Sequence, residues 1–212
     1  MIQKHIEDFF AGFERKTFRK GEIIIRPEET SQKAYYLRSG YVRTYCLSPE
    51  GIELTLHIFT PHAYFPMLSI IADVQNRHFY EAFVDTEVYI APKAAVVEYL
   101  QTHSDALYDL TSRLLRGIDK LTMRIEHLAM ETANKRVISS LLFLARHFGE
   151  QNGNQVRLKY TFTHKDLASF AGMSRETASR EWEKLSKNGL VTIDKQHITI
   201  LDMQTLMDLG SA

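Results

Sequence analysis

The residues best suited to chemistry lie close together near the C-terminal end of this 212-residue chain. Arg175, Glu176, Ser179 and Arg180 fall within six consecutive positions, and helical spacing would expose them on one surface. In the DNA major groove an arginine can donate two hydrogen bonds to guanine, and a glutamate can accept one from the amino group of cytosine. Each good pair discriminates between bases by about 1–3 kcal/mol. We therefore predict that these four residues read base edges.

A second group of side chains carries hydroxyl or ammonium groups that suit phosphate oxygens. Contacts to phosphates fix the register of a protein on DNA but carry little sequence information. The predicted phosphate contacts are Thr163, Ser174, Thr177 and Lys187.

The sequence around these residues predicts two short helices joined by a tight turn. Thr163 and Asp166 have the spacing of a capping box, which marks the start of the first helix. Gly172 stands where the chain must reverse, and glycine enters the left-handed region without steric penalty. Ser174 can cap the second helix. The alternative is an ordinary helical hairpin with a solvated charged face.

The inner faces of both helices and the following strands favour DNA binding over that alternative. Leu167, Ala168 and Ala171 in the first helix, and Ala178, Trp182 and Leu185 in the second, repeat at helical spacing. Residues 190–200 then form two alternating runs around a polar turn, the pattern of a β-hairpin. A hairpin in this position is the wing of a winged helix.

Charge is distributed unevenly along the chain, although the formal net charge is zero. Residues 1–131 hold 15 Lys and Arg against 18 Asp and Glu, whereas residues 132–212 hold 11 against 8. The two parts therefore carry net charges of −3 and +3. This asymmetry is typical of a nucleic-acid-binding domain joined to a neutral sensor, and we predict double-stranded DNA as the partner.

The preceding part of the chain predicts a β-roll. Over residues 17–91 short apolar and aromatic runs alternate with turns, which indicates an antiparallel barrel or roll. The single cysteine, Cys46, excludes an intrachain disulfide framework and an all-cysteine iron–sulfur cluster within one chain. No stretch resembles a signal peptide or a membrane span, so we expect a cytoplasmic protein without a membrane partner.

Between the roll and the winged helix, residues 105–131 follow a heptad repeat. Leucines recur every seven residues with mostly β-branched residues between them, which favours a parallel two-stranded coil and hence a homodimer. Packing of this helix on its own barrel is the alternative, and one helix can do both along its length. The predicted dimer seam consists of Leu107, Thr111, Leu114, Ile118, Leu121, Ile125 and Leu128.

These elements divide the chain into three predicted parts of an α+β fold. They are an N-terminal antiparallel β-roll over 1–103, a dimerisation helix over 104–131, and a winged helix-turn-helix domain over 132–212. An amphipathic helix over 132–148 opens the last part, a polar loop over 149–155 follows it, and a hinge is expected near 130–133.

This order of domains, with Asp-Leu-Ala, Gly-Met-Ser-Arg-Glu-Thr and Ser-Arg in the last of them, resembles the CRP/FNR superfamily of bacterial transcription regulators. The resemblance implies that the roll is similar to a cyclic-nucleotide-binding jelly roll. It also implies that Arg175, Glu176 and Arg180 are base-reading residues, with Arg175 as in the cyclic AMP receptor type. It implies that Ser179 contacts a base as in the fumarate–nitrate type, and the combination of these residues suggests a G/A-rich half-site such as TGTGA or TTGA. It also implies contact with RNA polymerase, for which residues 149–155 lie in a suitable position, and a plain solvated loop is the alternative for these residues. Glu181 departs from the apolar residue of the cyclic AMP receptor type, so we expect slightly different packing of the recognition helix.

The sequence also departs from the superfamily's cyclic-nucleotide motifs. Members that bind cyclic nucleotides carry Phe-Gly-Glu and an Arg-Ser-Ala-like segment, where this chain has Phe65-Pro66-Met67 and Asn76-Arg77-His78. Proline lacks an amide donor and methionine accepts hydrogen bonds only weakly, so we do not expect cyclic AMP to be the effector. Plain core packing, or solvation of Arg77, is the alternative to contact with an unknown effector. The candidate effector pocket consists of Tyr64, Phe65, Met67, Arg77, Phe79, Tyr80 and Phe83.

Two further readings of the roll stay within the same family. His57, His62, His78 and Cys46 are potential haem ligands, although no spacing distinguishes them. A member that binds DNA without any ligand is the other possibility. Catalytic motifs such as Gly-x-Ser-x-Gly, His-Glu-x-x-His or a phosphate-binding glycine loop do not occur. We therefore expect neither an enzyme nor a metal site.

Overall fold

The computed structural model of the chain describes residues 2–194 and 196–211. Lys195, which falls in the predicted wing turn, lies outside the described residues, as do Met1 and Ala212 at the limits of the predicted domains. None of the helices in the described residues has the length and apolarity needed to span a bilayer.

The chain forms two compact units whose limits differ from the predicted domain limits. Met1–Cys46 and Leu56–Leu121 make up the first unit, and Leu47–Thr55 and Thr122–Ala212 make up the second. A helix break does occur at the predicted hinge, where one helix ends at Met130 and the next begins at Ala133. The units instead divide inside the earlier helix, so its C-terminal end belongs with the winged helix.

Two antiparallel sheets form the predicted β-roll, and their strands belong to the first unit apart from Leu47 and residues 53–55. In the first sheet the strand order is β1-β8-β3-β6, and in the second it is β2-β7-β4-β5. The strands are β1 (Glu14–Phe18), β2 (Ile23–Ile25), β3 (Lys33–Ser39), β4 (Val42–Leu47), β5 (Glu53–Phe59), β6 (Tyr64–Phe65), β7 (Phe79–Ala82) and β8 (Thr86–Pro92).

Alternation along β3 separates two hydrophobic clusters. Ala34 and Tyr36 face an outer cluster, whereas Leu37 belongs to the cluster inside the roll, because successive strand residues point to opposite faces of a sheet. The outer cluster is completed by side chains from α1 (Ile2–Ala11), α2 (Met67–Ala72), α3 (Lys93–Thr102) and the start of α4 (Ser104–Met130).

Helix α4 is the predicted long helix and begins on the roll. Ala106 and Leu110 are buried in the outer cluster, so the first turns of α4 are fixed against their own chain. The alternative of packing on its own barrel therefore holds for this end of the helix.

The second unit has the predicted winged-helix architecture. Its sheet has the order β11-β12-β10-β9, and the helix-turn-helix is formed by α6 and α7. The elements are α5 (Ala133–Phe148), β9 (Gly149–Asn152), β10 (Gln155–Leu158), α6 (His164–Ala171), α7 (Arg175–Lys187), β11 (Val191–Asp194), β12 (His197–Ile200) and α8 (Met203–Ser211).

The prediction of a polar loop over 149–155 was wrong. Gly149–Asn152 is strand β9, which pairs antiparallel with β10, and Gly153 occupies the left-handed region at the turn between them. The polar side chains concealed this strand, because β9 lies at the edge of the sheet and leaves Gln151 and Asn152 exposed.

Candidate nucleic-acid interface

The turn between α6 and α7 is fixed by the local signals that the sequence contains. Thr163 and Asp166 form a complete capping box, in which the Thr163 hydroxyl accepts from the Asp166 amide at 3.2 Å and Asp166 accepts from the Thr163 amide at 2.8 Å. Gly172 ends α6 with φ 63° and ψ 49°. Ser174 then caps α7 by accepting from the Thr177 amide at 3.2 Å. All three predicted signals are confirmed.

The inner face of α7 is buried as predicted. Ala178, Trp182 and Leu185 are each no more than 6% exposed. Glu181 is buried as well, and its carboxylate accepts from Asn134 Nδ2 at 3.0 Å and from Lys184 Nζ at 2.6 Å. These bonds hold the pKa of Glu181 below its ordinary value, with the Lys184 bond as the larger cause. The position where the cyclic AMP receptor type has an apolar residue thus holds a charged side chain here, because hydrogen bonds compensate the burial of the Glu181 carboxylate.

The outer face of α7 presents the predicted base-reading residues together. Arg175, Glu176 and Arg180 are exposed, and Ser179 is half-buried. The hydrogen bond from its own backbone amide holds the pKa of Glu176 below the ordinary value, and Ser174 adds to this. The Glu176 carboxylate is therefore ionised at neutral pH, where it accepts hydrogen bonds and cannot donate them. Two donors and one acceptor stand on the first turns of a helix, the arrangement that suits base edges in the major groove.

The predicted phosphate contacts surround this face but differ in their present partners. Thr163, Ser174 and Thr177 use their hydroxyl groups in the helix caps, and Arg180 donates to Thr177 Oγ1 at 3.3 Å. Lys187 is exposed at the last turn of α7.

One residue of this interface, His164, carries no sequence signal of its own. It opens α6, and its Nδ1 lies 2.9 Å from Ser179 Oγ in α7. The His164 ring also lies 5.5 Å from the Trp182 ring. A histidine after a capping threonine has the sequence pattern of many solvated helix starts. Only the three-dimensional structure therefore links His164 to α7.

The predicted dimer seam is an exposed apolar stripe along much of α4. Leu107, Leu114, Ile118, Leu121 and Ile125 are between 46% and 66% exposed. Thr111 is exposed, and Leu128 is half-buried. The Leu128 side chain lies beside the helix-turn-helix, where a methyl group added to Gly172 would lie 2.8 Å from Leu128 Cδ2.

The candidate effector residues divide between two parts of the roll. Tyr64 and Met67 are buried in the outer cluster. Phe65 is buried inside the roll, where its ring stacks on those of Phe59 and Tyr80 at 5.0 and 5.4 Å.

The other candidates have separate surroundings. Phe79 stacks on Tyr45 at 5.0 Å, Phe83 is buried, and Arg77 is exposed. A cavity of about 200 Å³ at the roll is lined by different residues, Ile25, Tyr35 and the loop 29–33.

The histidines considered as haem ligands also have separate surroundings. His57 packs edge-on against Phe59 at 4.7 Å, and His62 Nδ1 lies 2.9 Å from the Tyr36 hydroxyl. Burial lowers the pKa of His78, and Arg77 adds to the effect. Cys46, the fourth residue considered, is half-buried.

Comparison with known families assigns both parts of the chain. A family model described as a Crp-like helix-turn-helix domain matches residues 135–209, and a cyclic nucleotide-binding domain model matches residues 15–103. The second match covers the roll, and the first covers the interface described above.

Several known proteins that are similar to the chain over most of its length are transcription regulators. The global nitrogen regulator of Synechocystis sp. is 29% identical over 191 residues, which cover 87% of this chain and 83% of the relative. The transcriptional regulator SdrP of Thermus thermophilus is 27% identical over 94% of this chain and 95% of its own length. The solved structure of a CRP/FNR-family regulator from Thermus thermophilus aligns with a TM-score of 0.80 and 26% identity, over 94% of this chain and 99% of that one.

Proposed function

The chain belongs to the CRP/FNR superfamily of DNA-binding transcription regulators, and from that premise we propose that it acts as a homodimer reading a near-palindromic DNA site. The observation that carries this proposal is the outer face of α7, where Arg175, Glu176 and Arg180 are exposed together on a capped helix. A two-fold dimer would present two such helices to half-sites about 34 Å apart, one turn of DNA.

The assigned roles are tested by comparing two single variants on preferred and random duplexes. Arg180→Ala should weaken binding to the preferred site by about 1–3 kcal/mol and relax base preference at one position. Lys187→Ala should weaken binding to all sequences alike, because a phosphate contact is independent of base identity. In-vitro selection followed by fluorescence anisotropy measures both effects. Equal losses on preferred and random DNA for Arg180→Ala would contradict base reading.

Pairing of the two copies is proposed to run through the exposed stripe of α4. The stripe follows the heptad spacing expected of a parallel coil, whereas Ala106 and Leu110 on the same helix are already buried on the roll. One helix therefore has one side for its own chain and another for a partner copy.

We propose that the signal sensed by the roll is not cyclic AMP. Pro66 offers no amide donor at the start of α2. Met67 is 7% exposed and belongs to the outer cluster, and Arg77 is exposed. Calorimetric titration should therefore detect no cyclic AMP binding, and the ligand should leave DNA affinity unchanged. Tighter DNA binding with cyclic AMP would overturn this proposal.

An alternative within the same function is a member that binds DNA without a ligand. The stacked rings of Phe59, Phe65 and Tyr80 inside the roll favour it, since side chains already occupy that space. Selection of bound DNA with and without a cell extract of small molecules separates the two. A signal can act only if it favours one state of the dimer over another.

We also propose that the protein is not an enzyme and acts in the cytoplasm, where a bacterial chromosome lies. RNA polymerase is the proposed protein partner, and the β9–β10 hairpin is the candidate contact. Its exposed polar residues make this edge of the sheet accessible.

A further inference from the structure

The contact between His164 and Ser179 joins α6 and α7, the two helices of the helix-turn-helix. Nδ1 of His164, the first residue of α6, lies 2.9 Å from the hydroxyl oxygen of Ser179, which lies on the second turn of α7. Trp182, also on α7, lies beside the imidazole at 5.5 Å between ring centroids. The orientation of the imidazole is therefore defined by two side chains of the reading helix.

The His164 ring is neutral at physiological pH. Burial lowers the pKa of His164 below its ordinary value, and the positive charge of Arg175 lowers it further, while Glu183 opposes them. A neutral imidazole has one N–H donor and one acceptor nitrogen, so its two nitrogens play different roles.

The surroundings of the second nitrogen indicate which one carries the hydrogen. Nε2 of His164 is buried and has no hydrogen-bond partner among the described residues. Buried N–H groups without a partner are rarer than buried acceptors without one. The hydrogen is therefore assigned to Nδ1, which donates to Ser179 Oγ. With its oxygen accepting from His164, the Ser179 hydroxyl still has its own hydrogen to donate.

We infer that His164 is a positioning residue that determines base specificity through Ser179. This inference rests on the proposed DNA-binding function. A serine hydroxyl on a free rotor can turn toward its own helix, where it competes for backbone carbonyls. The bond from His164 fixes the oxygen at one place on the outer edge of α7, so that Ser179 meets the same base edge in every complex.

A double-mutant cycle on base preference tests this role. Wild type, His164→Leu, Ser179→Ala and the double variant are compared on the selected site and on duplexes changed at each half-site position. His164→Leu should reduce discrimination at a single position by about twofold to tenfold, the value of one neutral hydrogen bond. Ser179→Ala should reduce it at the same position, and the double variant should lose no more than either single variant.

A second variant guards against simple loss of structure. His164→Asn keeps an N–H donor near the place of Nδ1 and should retain most of the discrimination. Thermal unfolding of each variant shows whether the winged helix remains folded.

Two results would overturn the inference. One is a uniform loss of affinity on all duplexes with His164→Leu, and the other is additive effects of His164→Leu and Ser179→Ala. Either result leaves the proposed function standing as long as the wild-type protein selects a site. A wild-type protein without any preferred site would overturn both.

Discussion

Replacing two leucines on the exposed side of α4 tests whether this protein dimerises through that helix. Leu114 and Leu121 are 50% and 48% exposed in the single chain. Burying a whole leucine side chain contributes about 1.5–3 kcal/mol, so covering the exposed half contributes about 0.8–1.5 kcal/mol. Because a dimer has two copies, Leu114→Asp combined with Leu121→Asp removes four of these half-exposed leucine side chains from the interface. The interface should lose about 3–6 kcal/mol of stabilisation.

That loss corresponds to an increase in the dimer dissociation constant of about a hundredfold to ten-thousandfold. The introduced carboxylates face each other across the seam, and their repulsion acts in the same direction. Sedimentation equilibrium over a range of micromolar concentrations should therefore show a dimer for wild type and a monomer for the double variant. Circular dichroism should show that the variant remains folded, since both positions lie on the solvent side of α4.

The matched control carries the same two changes outside the seam. Leu47 and Leu209 are 48% and 42% exposed, and neither lies on α4. Leu47→Asp with Leu209→Asp should leave the dimer intact. A dimer that persists in the seam variant, or equal dissociation of the control, would place the interface elsewhere.

Three further predictions concern the stability of the winged helix and the roll. Gly172→Ala should lower the free energy of unfolding by at least about 1–2 kcal/mol, measured with urea, because an L-residue is strained at this left-handed φ. Asn134→Leu should lower it by about 1–3 kcal/mol by leaving the buried Glu181 carboxylate short of a donor, and adding Glu181→Leu should recover most of the loss. Since burial lowers the pKa of His164 and His78 below 6.5, the unfolded chain takes up protons first as pH falls. The contribution of the two histidines to the free energy of unfolding should be complete above pH 6.5 and lost below it. Replacing either histidine with asparagine should make the melting temperature depend less on pH.

The helix-turn-helix could be predicted because its signals are local. The capping box of Thr163 and Asp166 and the left-handed Gly172 each depend on residues a few positions apart, and the structure has both. The heptads of α4 are likewise a local repeat. Features that depend on distant partners had no such signal, and the pairing of His164 with Ser179 is one of them.

The same distinction explains the features of the fold that were not predicted from sequence. The polar residues of β9 form a strand because β10 supplies backbone partners, which no periodicity within 149–155 indicates. Arg43 is buried in the roll because Glu81 accepts from its Nε at 3.1 Å, although a single arginine in a strand suggests a solvated position. For the aromatic residues near Phe65, the sequence left pocket and core as alternatives. Phe65 is buried as a core residue, and the partly buried Tyr80 stacks on it.

The charge of the helix-turn-helix also supports the proposed homodimer. Helix α7 carries four basic and three acidic side chains, and of the predicted phosphate contacts Lys187 alone is charged. Each neutralised phosphate adds about −0.9 to the slope of log affinity against log salt concentration. A single helix-turn-helix should therefore bind DNA weakly, and its affinity should depend little on salt. When two helix-turn-helix units are linked in a dimer, binding of the second unit becomes intramolecular, which can raise the overall affinity for DNA by about a hundredfold to ten-thousandfold. DNA binding by this protein should therefore depend on the α4 stripe as strongly as on the residues that touch the bases.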